Sequence, residues 1–517
     1  MKKKTVVWQW FMIILLLLSL AACRSEVEQE FPITLVVPTA VGSGGEEPVA
    51  ALPTASSAPI QAAATVTIAG DESDATAVSL ATPTLQSTAT PAGTPTAPPV
   101  TNPVTSIVSR PPLPGISRDL LFIADGALQL WARNGQVETI LPGGGSGERE
   151  RPEIYLTGDV SSFAVTADGR FLVAARVTHT DPISPTRAQT FTIVSVNLDR
   201  RESRTLVAEA FDVRALTIAG DGQHVAFVAQ TAQSEPAEAA YEMRVVQVGS
   251  GAVKIAAPCA IPCGNLAWHP DNQNVVWGDG EMGVRLYNVT AREPQLLLAS
   301  PRSGGDVTVY GPIAWARNGR FLLMWRSAIE GGDRVVLDVP TGQVMPIPNS
   351  FVYADPHWTA VTWMQDDRLL VSRPQLSGEQ LRPPVVEIWR VNPDQVQLVL
   401  EETDALAVAP SGIAAPFHLE SGRFGFLLYN PIALDANGVY LLKGFGDQLD
   451  RVNALWPAVT AWDIVAAWNP DGSGVVIQQA NAGVFYAPTN NSALYNIQPA
   501  LGQWPRDFYW LPPRIQP

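Results

Sequence analysis

The sequence predicts an all-β protein whose main domain is a single β-propeller. First, a short pattern recurs through the C-terminal part of the chain: an apolar or Trp residue, Asp or Asn three positions later, then a β-rich apolar run. Second, the copies are spaced far enough apart for four strands each. Third, the two ends of this region carry strand fragments that complete each other. The high content of Gly (40) and Pro (44) also favours turns and short strands.

The N-terminus has the pattern of a secretory signal. Lys2, Lys3 and Lys4 form a positive segment, and a mostly apolar run follows from Val6 to Leu20. An uncleaved membrane anchor is the alternative, but the run is short against the roughly 20 residues that span a bilayer. We therefore predict a signal peptide over residues 1–22.

Leu20-Ala21-Ala22-Cys23 resembles the lipobox of bacterial lipoproteins. The resemblance implies cleavage between Ala22 and Cys23 and acylation of Cys23. Two or three acyl chains hold a protein stably at a membrane, whereas one chain binds marginally. The expected location is the outer face of the plasma membrane, or the outer membrane in a cell that has one.

Residues 23–118 have the composition of a flexible stalk. The segment is dense in Pro, Thr, Ala and Ser and almost free of aromatic residues. Such a segment cannot bury enough apolar surface to offset chain entropy, so we expect it to be disordered. Its prolines favour extended conformations, which makes it a spacer between the anchor and the domain.

The recurring pattern centres on a tight turn between two strands. Gly accepts a positive φ, and Asp bonds to its own backbone, so the pair forms the turn. The apolar residues before and after it form the strands, and a second hairpin makes four strands per repeat. The turn residues of the six full copies are Asp168 and Gly169, Asp221 and Gly222, Asp271 and Asn272, Asn318 and Gly319, Asp366 and Asp367, and Asp471 and Gly472.

The spacing of the copies selects the propeller. Successive turns from Asp168 through Asp221, Asp271 and Asn318 to Asp366 lie 53, 50, 47 and 48 residues apart. A period of about 40–50 residues with four strands is typical of propeller blades. A two-sheet sandwich is the alternative, but sandwiches show no such period.

The repeats resemble those of TolB-type and WD40-like (PD40-type) propellers, which carry Trp-Ser-Pro-Asp-Gly-Lys before a strand. Trp268-His-Pro-Asp271 and Trp468-Asn-Pro-Asp471 are the copies that keep the proline. The Ser of the motif is replaced in every copy. The resemblance covers residues 119–512 and implies a propeller that binds a protein partner.

The two ends of the domain predict how the ring closes. Tyr509–Pro512 looks like a first strand without a successor, and Asp119–Leu141 contains strands without a first strand. We expect them to form one blade, which protects the sheet edges. A degenerate copy at Val408–Gly412 brings the count to eight blades; seven remain if residues 405–455 are an insertion. The predicted domain is 119–517.

Few residues suggest chemistry beyond the fold. Cys259 and Cys263 are the only cysteines after Cys23, and in an oxidising exported setting we expect a disulfide. A metal or redox pair is the alternative. The turn aspartates are interpreted as structural. His269 occupies a repeat turn, and no metal cluster is expected from the other histidines.

The recurring tryptophans of the repeats are interpreted first as packing between blades, with sugar stacking as the alternative. No nucleophile elbow, calcium loop or phosphate loop is found, so we expect no catalytic residues, metal or cofactor.

The net charge and the long connections limit the possible functions. The formal net charge is −15, or −18 after removal of residues 1–22, which excludes nucleic-acid binding. Long connections at Thr178–Thr190, Gln230–Ala240 and Pro374–Pro384 should lie on one face, which we interpret as the interaction face. We expect a monomeric, non-catalytic scaffold whose partner is an envelope protein rather than a glycan. The alternative is a propeller enzyme of the lyase, lactonase or quinoprotein type, with a metal or cofactor in the central channel.

Overall fold

The computed structural model describes most of the chain from residue 112 onward. The described residues are 112–145, 154–180, 189–232, 240–303, 306–328, 331–350, 352–353, 360–377, 380–430, 437–453, 464–479, 483–491 and 493–513. The signal peptide, Cys23 and nearly all of the predicted stalk lie outside them. Within this part of the chain, no helix is long and apolar enough to cross a membrane.

The first half of the domain holds blades 1 to 4. Blade 1 contains β1 (Leu120–Ala124), β2 (Ala127–Trp131) and β3 (Val137–Leu141). The next sheet has seven strands: β4 (Val160–Val165), β5 (Phe171–His179), β6 (Thr190–Asn197), β7 (Glu202–Ile218), β8 (His224–Gln230), β9 (Tyr241–Gln247) and β10 (Val253–Cys259). Blade 4 contains β11 (Cys263–Trp268), β12 (Asn274–Asp279), a 3-10 turn (Gly280–Met282), β13 (Gly283–Asn288) and β14 (Pro294–Ala299).

The second half holds blades 5 to 8 and the closing strand. After the short pair β15 (Arg302–Ser303) and β16 (Asp306–Val307), blade 5 contains β17 (Val309–Trp315), β18 (Phe321–Ala328), β19 (Gly331–Asp338), β20 (Gln343–Pro346) and β21 (Val352–Tyr353). Blade 6 contains β22 (Ala360–Trp363), β23 (Leu369–Ser377), β24 (Gln380–Asn392) and β25 (Gln397–Ala405). Blade 7 contains β26 (Gly412–His418), β27 (Phe424–Tyr429), β28 (Gly438–Leu442) and β29 (Leu449–Asn453). Blade 8 contains β30 (Ile464–Trp468), β31 (Gly474–Gln479), β32 (Gly483–Pro488) and β33 (Tyr495–Asn496), followed by α1 (Gln498–Leu501) and β34 (Arg506–Trp510).

The seven-stranded sheet is two blades joined by one long strand. Residues Glu202–Phe211 of β7 pair with β6 as the outer strand of blade 2. Residues Phe211–Ile218 pair with β8 as the first strand of blade 3. The described residues therefore form eight four-stranded blades, and the predicted count of eight is confirmed.

The ring closes through the two ends of the domain. In blade 1 the strand order is β3-β2-β1-β34, and β34 pairs antiparallel with β1. Leu120 lies opposite Trp510, and Leu121 lies opposite Tyr509. The C-terminal strand is thus the first strand of blade 1, as the sequence predicts.

Apolar clusters hold each blade against the next. The described residues form eight buried clusters, each drawn from two consecutive blades. The cluster between blades 8 and 1 packs Tyr486 edge-on against Trp131 with ring centroids 5.3 Å apart. The free energy gained from the hydrophobic effect scales with the apolar area removed from water. These interfaces are therefore the main stabilising contacts of the ring.

Each repeat turn is built by its Asp or Asn as expected. The Oδ1 atom of this residue accepts a hydrogen bond from the backbone N–H two residues later in all six full copies, at 2.7–3.3 Å. The following residue has a positive φ of 60–79° in every copy. Asn272 and Asp367 take this conformation where the other copies have Gly, because short polar side chains tolerate it better than other residues.

Three sequence expectations need correction. The turn of blade 7 lies at Glu420-Ser421-Gly422, while Gly412 of the supposed degenerate copy begins β26. The predicted loop Pro374–Pro384 is mostly strand, because β23 and β24 stay paired as far as Ser377 and Gln380. The folded domain also begins before residue 119, the start that the sequence predicted.

The segment ahead of blade 1 belongs to the domain. Leu113 and Ile116 are buried in the cluster between blades 8 and 1, and the Trp131 indole donates to the Pro114 carbonyl oxygen at 3.2 Å. Leu113 and Ile116 lie within a polar and Pro-rich stretch of sequence. Composition alone therefore places the start of the domain too late.

Candidate functional site

The propeller has two faces with different connections. The repeat turns between the first and second strands of each blade form what we call the turn face. The connections between second and third strands, together with those between blades, form the long-connection face. Two of the predicted long connections, which join β5 to β6 and β8 to β9, contain residues 181–188 and 233–239, which lie outside the described residues.

On the turn face, neighbouring repeat turns contact one another around the ring. The ring Nε2 of His269 lies 2.9 Å from the carbonyl oxygen of Gly319, which links blades 4 and 5. The backbone N–H of Arg317 donates to Asp367 Oδ1 at 2.6 Å, which links blades 5 and 6. The hydroxyl of Ser117 donates to Asp471 at 2.5 Å. The turn residues therefore connect blades as well as strands.

A cavity opens on the long-connection face. It has a volume of about 390 Å³ and lies at the ends of the innermost strands of blades 3, 4 and 5. That size falls within the range of small-ligand and side-chain pockets. Its walls, which we call the blade 3–5 cleft, are formed by Arg214, Pro262, Cys263, Gly264, Asn265, Gly278, Val309, Tyr310, Gly311, Trp325 and Ser327.

Arg214 is the charged residue of the blade 3–5 cleft. Its guanidinium lies over the Tyr241 ring at 4.3 Å, and its Nε donates to Asp212 at 3.0 Å. Tyr241 in turn donates its hydroxyl to Asp212 and accepts from the Gln230 amide at 3.3 Å. Burial, with the hydrogen bond and charge of Asp212, raises the pKa of Tyr241 to about 12. These contacts hold an exposed guanidinium in a fixed orientation.

Blade 5 contributes two aromatic side chains to the opposite wall. Tyr310 is buried, and burial raises its pKa although the charge of Arg326 opposes the shift. Arg326 is itself held by Asp333 through two contacts of 2.8 and 2.5 Å. The Trp325 ring carries a guanidinium on its face, with the Arg334 Cζ 4.4 Å from the ring centroid. Such cation–π contacts orient the aromatic ring.

Asn265 supplies the exposed amide of the blade 3–5 cleft. It stands at a positive φ of 55° at the start of β11. Its Nδ2 reaches so close to blade 5 that a Cβ at Gly311 would lie 2.4 Å from it. A glycine at position 311 therefore leaves the room that this amide occupies.

The disulfide predicted from sequence lies beside the same cleft. Cys259 and Cys263 are bonded to each other, with their Cα atoms 5.7 Å apart. Cys263 is buried, begins β11 and lines the cleft next to Asn265. The bond ties the last strand of blade 3 to the first strand of blade 4.

The histidines are dispersed. His224 begins β8, His418 ends β26, and burial lowers the pKa of both. His179 ends β5, and His357 lies outside the described residues. In the described part of the chain, no group of three or more His, Cys, Asp or Glu side chains is arranged to hold a metal ion.

A second opening lies along the innermost strands of blades 7, 8 and 1. It has a volume of about 360 Å³, and its lining includes Phe417, Trp468, Phe508 and Tyr509. The predicted alternative of a propeller enzyme would place a metal or cofactor near these innermost strands. The lining residues described for this opening are aromatic and aliphatic and include no carboxylate or imidazole.

The chain resembles known proteins at the level of structure. No protein-family profile and no curated protein sequence matches it. TolB from Acinetobacter baumannii is similar at 12% identity and a TM-score of 0.33, over 53% of this chain and 61% of TolB. Dipeptidyl peptidase 4 from Porphyromonas gingivalis is similar at 10% identity and a TM-score of 0.45, over 70% of this chain and 56% of the peptidase.

A third similar structure is the β-propeller domain of the Trilobed protease from Pyrococcus furiosus. It shares 13% identity at a TM-score of 0.37, over 65% of this chain and 94% of that domain. The chain thus spans less than two thirds of TolB and of the peptidase. Strand order and the eight blade interfaces define the fold of this chain, and these distant similarities add no information on activity.

The residues of the blade 3–5 cleft were missed by sequence reasoning. Arg214, Asn265 and Tyr310 come from three different blades, so no local motif joins them. The repeat contains the information that could have identified them, because each of these residues precedes the repeat turn of its own blade by six to eight positions. Residues at that position stand at the long-connection end of neighbouring first strands and therefore come together in a ring.

Proposed function

We propose that this protein is an exported lipoprotein, anchored through Cys23, whose propeller binds an envelope protein through the blade 3–5 cleft without catalysing a reaction. The observation that carries the proposal is this cleft on the long-connection face, lined by side chains from three neighbouring blades. Loops on a rigid scaffold are favoured places for binding.

The chemistry of the cleft supports protein recognition. Arg, Tyr and Trp are the residues enriched at the energetic centres of protein interfaces, and Arg214, Tyr310 and Trp325 all line the cleft. The Asn265 amide adds a donor and an acceptor that suit a peptide backbone. Asp212 and Arg334 hold two of these groups in place, which reduces the entropy lost on binding.

The N-terminal sequence supports the anchor and the location. The Leu20-Ala21-Ala22-Cys23 segment follows an apolar run and a cluster of lysines. Residues 24–111 would then separate the membrane from the domain. A propeller joined to the membrane through so long a segment can reach a partner that does not lie at the membrane surface.

Site-specific photo-cross-linking in intact cell envelopes tests the proposal. A photoreactive residue at Val309, in the cleft, should give a discrete cross-linked protein. The same residue at Arg170, exposed on the turn face, should not. Cross-linking at Arg170 alone would place the interface on the wrong face and contradict the proposal.

A matched pair of variants refines the test. Arg214→Ala removes a guanidinium from the cleft and should reduce partner capture about tenfold, the loss expected for one charged hydrogen bond. Arg170→Ala makes the same change on the turn face and should leave capture unchanged. Equal capture by both variants would remove the cleft from the interface.

A further inference from the structure

A second cleft lies on the turn face, away from the blade 3–5 cleft. It is formed between the outer parts of blades 3 and 4 and has a volume of about 270 Å³. One wall carries His224, Gln247 and Lys254 of blade 3, and the other carries Gln273 and Arg292 of blade 4. We call it the blade 3–4 cleft.

Its charge opposes the charge of the whole protein. The chain has a formal net charge of −15, and Lys254 is one of two lysines beyond Lys4. Lys254 and Arg292 approach the cleft from different blades, and in the described part of the chain neither forms an ion pair. The described lining contains no carboxylate. Asp221, near His224, and Asp271, which accepts from the Gln273 N–H at 2.7 Å, are the neighbouring acids.

The amide side chains of the cleft have hydrogen-bond donors that are not used within the described part of the protein. The Gln273 Oε1 accepts from the Thr290 hydroxyl at 3.1 Å, and the Gln247 Oε1 accepts from the Ser250 hydroxyl at 3.1 Å. Because both amide oxygens are engaged, the two NH₂ groups are the atoms left for a ligand. The buried Nδ1 of His224 has no hydrogen-bond partner among the described residues.

Two cations and two amide groups that line one cleft match an oxyanion. Lys provides a point charge, and Arg provides a planar pair of donors that fits phosphate or carboxylate. The volume lies just below the range of pockets for drug-sized ligands, which limits the buried part of the ligand to about one sugar unit. We propose that the blade 3–4 cleft binds the phosphate or carboxylate group of a small acidic sugar. This activity is independent of the partner-binding function proposed above.

Calorimetric titration of the full mature chain tests this site with three probes on one hexose scaffold: glucose 1-phosphate, glucuronate and uncharged glucose. At low ionic strength we expect saturable binding of at least one acidic sugar and none of glucose, and the bound probe identifies the anionic group. Equal binding of glucose, or no saturable binding of either acidic sugar, would overturn the proposal.

Substitutions locate the binding. Lys254→Gln and Arg292→Gln should each weaken the affinity about tenfold, the usual value of one charged hydrogen bond. Lys443→Gln changes the other lysine of the domain, which is exposed in blade 7, and should leave the affinity within about twofold. Both altered side chains of the cleft are exposed, so melting temperatures should stay unchanged. Undiminished affinity in both cleft variants would assign the binding to another place and overturn the proposal.

Discussion

The indole Nε1 of Trp510 donates a hydrogen bond to the carbonyl oxygen of Ala467 at 2.9 Å. Trp510 lies in the last strand of the chain, and Ala467 lies in the first strand of blade 8. The same bond joins the tryptophan of three other blades to the first strand of the blade before: Trp315 to Ala267, Trp363 to Ala314 and Trp468 to Ala415, at 2.9–3.2 Å. The C-terminal strand therefore repeats the contact that joins internal blades.

Removing the closing strand should unfold the domain. Deletion of residues 505–517 takes away β34 and exposes the edge of β1, so we expect loss of the cooperative thermal transition. Trp510→Ala should cost about 3–5 kcal/mol, and Trp510→Phe about 1 kcal/mol through the lost hydrogen bond. Trp504→Ala is the matched control, because Trp504 is 45% exposed while Trp510 is 7% exposed. A truncated chain that melts like the full chain would refute this closure.

The sequence predicts the parts of the fold that repeat. Each turn needs a residue that accepts a positive φ and an Asp or Asn before it, so the turn leaves a motif at a fixed position. Copies such as Asp168-Gly169 and Asp221-Gly222 gave the period, the strand order and the count of blades. The closing strand was recognisable because Trp510 stands alone where a repeat should continue.

The parts that do not repeat were harder to predict. In blade 7 the turn contains Ser421 in place of Asp, so a nearby Ser-Gly pair at residues 411 and 412 was mistaken for it. The merging of two blades in β7 depends on one strand that continues across a blade boundary, with a positive φ of 41° at Asp212, and no repeat motif marks this continuation. The two clefts combine side chains from different blades, and their existence depends on packing that a local motif does not encode.

The disulfide should contribute modestly to stability. It closes a very short loop, and the chain-entropy account gives about 2 kcal/mol for the bond between Cys259 and Cys263. The double substitution by Ser should lower the melting temperature by a few degrees and leave the fold intact. Alkylation of the unreduced, denatured protein should leave both cysteines unmodified. Alkylation at both positions would contradict the bond.

Gly278 should not tolerate a side chain. A Cβ there would lie 2.7 Å from the backbone carbonyl oxygen of Tyr310, so blades 4 and 5 would have to move apart. We expect Gly278→Ala to destabilise the domain by about 1–3 kcal/mol in chemical denaturation. Gly249→Ala is the control, since nothing lies within 4 Å of a Cβ at that turn. Equal midpoints for the two variants would show that the interface adapts.

Cys23 can be tested apart from the propeller. Cys23→Ser removes the thiol that the proposed lipid anchor requires, so the precursor should keep residues 1–22 and incorporate no labelled fatty acid. Cys259→Ser, in a chain with Cys23 intact, should still be labelled and processed. Unchanged processing of the Cys23 variant would reject lipoprotein maturation and leave the interpretation of the propeller untouched.

Alkaline titration should reveal two tyrosines that the fold protects from ionisation. Burial raises the pKa of Tyr486 to about 12, and burial with Asp212 raises the pKa of Tyr241 to about 12, from an ordinary value of 10. The folded state favours the neutral phenol, so its contribution to stability is complete below pH 10 and is lost between about pH 10 and 12. Tyrosinate absorbance should therefore include late ionisations from both tyrosines, and Tyr241→Phe and Tyr486→Phe should each remove one. Ionisation of Tyr241 near pH 10 would contradict the hydrogen bond from its hydroxyl to Asp212. The inferred orientation of Arg214, which depends on the same carboxylate, would then be unsupported.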